Sequence, residues 1–259
     1  MKECLSTYKV SSFGRTDIGL VRQNNEDVWK SLSDHRFYIL ADGMGGHKAG
    51  EIAAKETVDR LSINVEKLLK SPKKQIKQQV NLIRDIILKV NKEVYEKSRE
   101  GPELHGMGTT LCCTYFHDQG VIFAHVGDSR IYRFDGKELH QLTRDHSLVN
   151  EMIDLGELSE RNVAGVSYKH RITRAIGTEP HVEVAIQISH YDHDDLFLMC
   201  SDGLSDMISP KMIENILKES VDLQGTIDRL INAAIEQGGK DNITAVLMRI
   251  EPIDEHISR

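Results

Sequence analysis

Two runs of apolar residues spaced 4 and 3 apart, placed back to back, confine this chain to a layered fold. Ala54, Val58, Leu61, Val65 and Leu68 step by 4, 3, 4 and 3, and Ile76, Val80, Ile83, Ile87, Val90 and Val94 repeat that rhythm. Each run draws one apolar stripe along a helix. Ser71 followed by Pro72 reads as the N-cap and first residue of the second helix. So short a joint makes the helices antiparallel. Their stripes must bury against each other and against a third surface, most economically a sheet.

Strand signals lie on either side of this pair. Tyr8–Phe13, Val28–Leu32 and Arg36–Ala41 precede it, with Asp34 in the turn between the last two. Thr110–Phe116, Val121–Val126, Arg130–Phe134 and Lys137–Leu142 follow, with turns at His117–Gly120 and Asp135–Gly136. Val121–Val126 is apolar on nearly both faces, which predicts a central strand. Ser147–Leu155 reads as a short helix and Gly156–His170 as a long polar loop. Val182–Ser189 and Asp195–Cys200 are strands. Ser209-Pro210 caps a short helix, Ile227, Leu230, Ile231 and Ala234 mark another, and Ile243–Ile250 closes the chain as a strand. Hairpins dominate and alternating βα units are absent, so the sheets are expected to be antiparallel. The expected fold class is α+β: a four-layer α/β/β/α sandwich with two central antiparallel sheets, each covered by an antiparallel helix pair. Which pair covers which sheet is left open. No repeat, linker or low-complexity stretch divides residues 1–259, so one domain is expected.

Six short segments end strands or form turns: Asn25-Glu26-Asp27, Ala41-Asp42-Gly43-Met44-Gly45-Gly46, Gly108-Thr109-Thr110, Gly127-Asp128-Ser129-Arg130, Ser201-Asp202-Gly203-Leu204 and Gly239-Lys240-Asp241-Asn242. All but the Gly-Thr-Thr segment carry a carboxylate. Carboxylates gathered without Cys ligands suit hard divalent cations such as Mg²⁺ or Mn²⁺. Two such ions can clamp and activate a water for attack on phosphorus.

Composition narrows the alternatives. With 39% hydrophobic and 28% charged residues the chain is an ordinary globular protein. Acidic residues outnumber basic ones 40 to 33, a poor balance for a general nucleic-acid binder. No stretch reaches the length of a membrane-spanning helix, and Met1–Tyr8 has no apolar signal region, so a cytoplasmic location is the default expectation. Cys4, Cys112, Cys113 and Cys200 lack the CxxC spacing of zinc or redox sites and read as reduced core residues. Adjacent in one strand, Cys112 and Cys113 should face opposite ways.

Taken together, the segments resemble the metal-dependent protein phosphatase family, also called protein phosphatase 2C. The matching pieces are Gly19-Leu20-Val21-Arg22-Gln23-Asn24-Asn25-Glu26-Asp27, Ala41-Asp42-Gly43-Met44-Gly45-Gly46-His47, Gly108-Thr109-Thr110, His125-Val126-Gly127-Asp128-Ser129-Arg130, Ser201-Asp202-Gly203-Leu204 and Lys240-Asp241-Asn242-Ile243-Thr244. Each piece alone is weak, but all six occur in order between about Ser12 and Arg249. The resemblance implies the four-layer sandwich already expected from the element order. It implies that Asp42 bridges two Mn²⁺ or Mg²⁺ ions and that the Gly43 carbonyl ligates the second. Asp202 and Asp241 then bind the first ion. Glu26 reaches the second ion largely through water, and Asp27 supports the metal-bound waters. Asp128 with Asp202 resembles the ligand pair of a third, weaker ion, and Arg22 matches the arginine that holds the substrate phosphate. The implied reaction is hydrolysis of phosphoserine and phosphothreonine by direct attack of a hydroxide shared by two ions. No Ser, Cys or His nucleophile motif competes with it. Met44 stands where many animal members carry His, as in many bacterial relatives, which leaves water to protonate the leaving group. Residues 156–170 correspond to the family's mobile flap, and their sequence is idiosyncratic.

Plainer roles suit other residues. Asp135 before Gly136 reads as a turn residue, and Arg130 as one half of a structural ion pair. Arg22 could likewise be a surface ion-pair partner. Gly43–Gly50 lacks the ending of a nucleotide-binding loop. His190–Asp195 reads as a solvated hairpin turn, and His146 as a helix cap. The expected partners are phosphorylated proteins and a cognate serine/threonine kinase of a bacterial signalling system, with neither nucleic acid nor membrane, and the chain is expected to be a monomer. Two rivals stay open: a catalytically silent phosphoprotein-binding regulator, and a phosphatase for small esters or for one dedicated regulatory protein.

Overall fold

Three apolar layers, one between two sheets and one beneath each helix pair, hold the chain together in the computed structural model, which describes residues 8–45, 49–70, 75–159, 162 and 171–253. In chain order the strands are β1 (Tyr8–Asp17), β2 (Asp27–Leu32), β3 (Phe37–Met44), β4 (Gly108–Thr109), β5 (Leu111–His117), β6 (Gly120–Val126), β7 (Arg130–Phe134), β8 (Leu139–Gln141), β9 (Ala185–Ser189), β10 (Leu196–Cys200) and β11 (Ile243–Pro252). The helices are α1 (Ala49–Leu69), α2 (Ile76–Lys97), α3 (Leu148–Asp154), α4 (Asp202–Ser205), α5 (Pro210–Lys218) and α6 (Leu223–Glu236). One sheet runs β1-β11-β10-β7-β8 and the other β2-β3-β5-β6-β9, with β4 paired to the end of β3. Every pairing is antiparallel, as the hairpin-rich order predicts.

The period-2 alternation of strand side chains assigns each residue to a layer. In β5 and β6, Cys112, Phe116, Val121 and Phe123 enter the layer between the sheets. Leu111, Cys113, Ile122 and Ala124 enter the layer under α1 and α2 instead. The two adjacent cysteines therefore do face opposite ways, and both are buried and free, as is Cys200. Phe197 and Met199 of β10 meet the first sheet's partner across the central layer, where Phe116 and Phe197 lie edge to face with centroids 5.3 Å apart. Leu196, Leu198 and Cys200 turn to Ile213, Ile227 and Leu230 of α5 and α6. The open assignment is thus resolved: α1 and α2 cover the six-stranded sheet, and α5 and α6 the five-stranded one. β6 is buried along its whole length between β5 and β9, the interior position its apolar faces predict.

Several boundaries differ from expectation. β1 continues past Phe13 to Asp17 because it pairs with β11 over its full length, from Tyr8 opposite Pro252 to Asp17 opposite Ile243. α2 begins at Ile76, and Ser71 and Pro72 lie outside the described residues. So does most of the expected flap, including residues 163–170. Ser209 caps α5 as its sequence context suggests and Ser147 caps α3, each hydroxyl accepting from a backbone N–H of the first turn. His190–Asp195 is not a hairpin turn. β9 and β10 belong to different sheets, so this segment crosses between them. Its last residue is buried: Asp195 accepts from Arg133 Nε at 2.7 Å and from the Asp192 N–H at 2.8 Å. Among the described residues no helix is long and apolar enough to cross a membrane.

The central layer should dominate stability. Phe197→Ala removes a fully buried ring at the contact of the two sheets and should cost about 3–5 kcal/mol. Val221→Ala, at an exposed position, should stay within about 0.5 kcal/mol. Urea denaturation of the two variants checks this; equal midpoints would contradict the assignment of the core.

Candidate active site

Asp27 and Asp42 stand directly opposite each other on β2 and β3, an arrangement two carboxylates adopt only under constraint. Asp27 is nearly fully buried, and its Oδ2 accepts from Ser201 Oγ at 2.8 Å and from Thr244 Oγ1 at 2.7 Å. Its Oδ1 is buried with no partner. Asp42 lies one strand over, and its backbone is gripped from both sides. Its N–H donates to Thr110 Oγ1 at 3.0 Å, and its carbonyl accepts from the Thr110 N–H and the Thr109 hydroxyl, both at 2.8 Å. The Gly-Thr-Thr segment, alone among the six in lacking a carboxylate, thus holds the aspartate of another. Gly43 follows because the start of α1 passes over it: a Cβ there would stand 2.2 Å from the Gly50 carbonyl oxygen.

Asp42, Gly43, Glu26, Asp128, Asp202, Asp241 and Arg22 all line one pocket of about 230 Å³, together with Met44, Thr110 and Asn242. Every expected ligand position is therefore brought together; Asp27 sits behind them against Ser201 and Thr244. A larger cavity of about 660 Å³, walled by Arg130, Asp145, His125 and His146, contains none of the pocket carboxylates. Asp202 is the first residue of α4, a four-residue helix that follows β10 directly, rather than the turn residue expected.

Burial raises the Asp42 pKa well above the usual carboxylate range, and repulsion from Asp27, Asp202, Asp128 and Asp241 adds to it. Burial, then the charge of Asp202, raises Asp128 to about 7. Burial likewise lifts Asp27 to about 7 against the opposing hydroxyls of Thr244 and Ser201. Carboxylates crowded in this way want a cation. Among the described residues that line the pocket, the cation is Arg22, whose Nη2 donates to Asp241 Oδ2 at 2.6 Å. Among the described residues no group of three or more His, Cys, Asp or Glu side chains is arranged to hold an ion as it stands. The donor set nonetheless fits a hard divalent cation, being all oxygen, several times anionic, and open to a shared space.

Residues that motif matching left without roles do the holding. The Asn242 side chain accepts from the Glu26 N–H at 2.9 Å and donates to the carbonyls of Ile18 and Asn24 at 3.1 and 2.9 Å, while its own N–H donates to Asp241 Oδ1. It fastens the Arg22 loop to Asp241. Ser129 and Thr110 hydroxyls meet at 2.7 Å and tie the Asp128 turn to the Asp42 strand. His146 is not the helix cap expected; Ser147 is. His146 holds Gly127 at both ends, its Nδ1 accepting from the Gly127 N–H at 3.1 Å and its own N–H donating to the Gly127 carbonyl at 2.9 Å. Arg130 is the structural ion-pair residue expected, held by Asp145 through Nε and Nη2. The signal for these braces was their presence in the same short segments as the acids, but nothing in a sequence shows which segment each one grips.

The raised carboxylate pKa values make a signed prediction. The unfolded chain releases these protons near pH 4, whereas the folded chain keeps those of Asp27 and Asp128 to about 7. Between those pH values the native state binds more protons, so stability falls as pH rises. In EDTA, the melting temperature should drop from pH 5 to pH 8, and Asp128→Asn should flatten the slope. An equally steep slope in that variant would remove Asp128 from the account.

Known proteins fit this geometry. The protein phosphatase 2C family profile matches residues 18–248. A serine/threonine phosphatase (stp) of Listeria monocytogenes is 38% identical over 240 residues, covering 90% of this chain and 93% of its own. The crystal structure of the Mycobacterium tuberculosis serine/threonine phosphatase PstP/Ppp superposes with a TM-score of 0.84 at 32% identity, covering 93% of this chain and 99% of that one. A PstP catalytic domain in complex with two manganese ions superposes at 0.80 with 31% identity, covering 95% and 100%. A profile match spanning nearly the whole chain, on a fold and a pocket of this kind, places the protein in the protein phosphatase 2C family.

Proposed function

We propose that this chain is a metal-dependent protein serine/threonine phosphatase that reverses serine/threonine kinase signalling. The observation that carries this reading is a single pocket lined by Asp42, Asp128, Asp202, Asp241 and Arg22. The names of the related phosphatases support it. Asp42, Asp202 and Asp241, with Glu26 and the Gly43 carbonyl, would hold two Mn²⁺ or Mg²⁺ ions, and Asp128 with Asp202 a third. Bound there, the ions supply the positive charge that makes water a nucleophile near neutral pH and neutralises a phosphate dianion.

The chain's own residues do the rest. Asp42 contributes its carboxylate from a strand end whose backbone is fixed by Thr109 and Thr110, so its direction does not drift during turnover. Asp27, buried behind the ligands with one oxygen unpartnered, would support the metal-bound waters. Arg22 offers a planar fork that binds two phosphate oxygens together, which a lysine cannot do. In the structure that fork rests on Asp241, so phosphate and Asp241 compete for it, and neutralising Asp241 favours phosphate. Met44, which lines the pocket, has no proton to give and so cannot be a general acid at its position.

Phosphate release from a phosphothreonine peptide in Mn²⁺, Mg²⁺ and EDTA tests the reading. Turnover should require a metal, and Asp202→Asn should lower it by about two orders of magnitude or more, the scale for one charged group at a pre-organised site. Near-normal activity in that variant would overturn the metal assignment. Turnover absent from the wild-type chain, despite measured Mn²⁺ binding, would favour the silent regulator. Arg22→Ala should raise KM by about tenfold with a smaller change in kcat, because it weakens phosphate in ground and transition states alike. An unchanged KM would leave Arg22 as an ion-pair residue only.

A further inference from the structure

Beside the pocket, the chain holds apolar side chains out into water. Leu20 is 68% exposed, Val21 64% and Ile18 39%. The other large apolar residues exposed among the described residues are Ile63, Leu88, Leu155, Ile188, Val221 and Ile253, each on a different helix, strand or connection. Scattered single exposures are ordinary; three within four positions, ending at Arg22, are not.

The exposure is not that of a slack loop. The Leu20 N–H donates to the Gly239 carbonyl at 2.7 Å, the Gly19 N–H to Asp17 Oδ1 at 3.0 Å, and the Ile18 carbonyl accepts from Asn242. Gly19 has φ +75°, and a Cβ on it would stand 2.3 Å from the Asp241 carbonyl oxygen. Leu20 in turn lies over Gly239, its Cγ 3.2 Å from where a Cβ on that glycine would be. Leu20 and Val21 are therefore bounded along the chain by Arg22 and in space by the turn that leads to Asp241. Arg22 lines the pocket, and the turn ends on Asp241, which lines it too.

We propose that Leu20 and Val21 form a specificity rim that receives an apolar side chain of the substrate, within about two residues of the phosphorylated Ser or Thr. This rests on the phosphatase reading above. The pocket is polar and small, so it can recognise the phosphate but not the surrounding sequence. An extended substrate chain advances about 3.3 Å per residue. With its phosphate at Arg22, neighbours one or two positions away pass over the residues next to Arg22. Two or three side chains are far too little surface for a stable dimer, but suffice to rank transient substrates.

The test uses phosphothreonine peptides identical except at the positions flanking the phosphoresidue, which carry Leu, Ser or Glu. Wild-type enzyme with Mn²⁺ should show kcat/KM about tenfold higher for the Leu than the Ser peptide, the scale of burying part of one Leu side chain. The double variant Leu20→Ser/Val21→Ser should bring that ratio near one. Leu20→Lys should raise the Glu-to-Ser ratio about threefold, the scale of an exposed ion pair. All substituted positions are exposed, and circular dichroism checks the fold. Equal turnover of Leu and Ser peptides by the wild-type chain, or a ratio that survives in the double variant, overturns the rim while leaving the phosphatase reading intact. Turnover of none of the peptides overturns that reading and the rim with it.

Discussion

Carboxylates that repel one another must be kept in one pocket, and much of the structure around that pocket answers this demand. Two like charges 4 Å apart at a protein-like effective dielectric repel by about 4 kcal/mol, and burial adds to the cost. The braces that resist this are neutral. Thr109 and Thr110 grip Asp42, Ser201 and Thr244 grip Asp27, and Asn242 grips Asp241 and Glu26. His146, which fixes the Asp128 turn, is kept neutral because burial lowers its pKa to about 3. Cationic braces would hold the acids more easily but would neutralise the pocket. Arg130, the nearest alternative along the chain from Asp128, is diverted to Asp145. What results is a negative pocket in which, among the described residues, Arg22 is the one cation lining the wall, held by Asp241.

Sheet topology determines which segments can contribute. Arg22 and Asp241 are 219 positions apart, yet their side chains touch because β1 and β11 pair along their whole lengths and leave at the same end. The Asp27–Asp42 pair comes from the β2–β3 hairpin of the other sheet. Ser201 and Thr244, from β10's end and β11, cross the gap to reach Asp27. The pocket thus lies at one end of the two face-packed sheets, and its acids come from both. Neither sheet alone carries the set, so packing of the central layer and assembly of the site are one event.

Much of this was legible in advance. The 4-and-3 stripes identified α1 and α2, and alternation assigned Cys112 and Cys113 to opposite layers, because these are local patterns with a fixed period. The acids of the pocket were identified through ordered short motifs, not through any local physical signal. What escaped prediction was non-local or too short to have a period. α4 has four residues and no face to reveal. The crossing at His190–Asp195 resembles a hairpin turn until the sheets of β9 and β10 are known, and Asp195 reads as solvated until Arg133 is found beside it. The hydroxyl and amide braces could be seen in the motifs, but each grips a residue from a different segment, and no spacing encodes that.

The pocket's charge also separates the rival roles. A module that merely bound phosphoproteins would gain by surrounding the phosphate with donors and cations. Here the phosphate would face several carboxylates and one arginine that already has a carboxylate partner. Such a pocket repels a dianion until its acids are neutralised. Protonation could do that only at the cost of the ligands' charge, although burial and neighbouring carboxylates do raise Asp128 to about 7. Divalent cations would neutralise the acids without removing their ability to ligate, and would free Arg22 from Asp241. On the proposed function, phosphate affinity in this site would therefore depend on cation occupancy. That dependence is the property a metal-dependent hydrolase needs, and one a simple docking domain has no reason to keep.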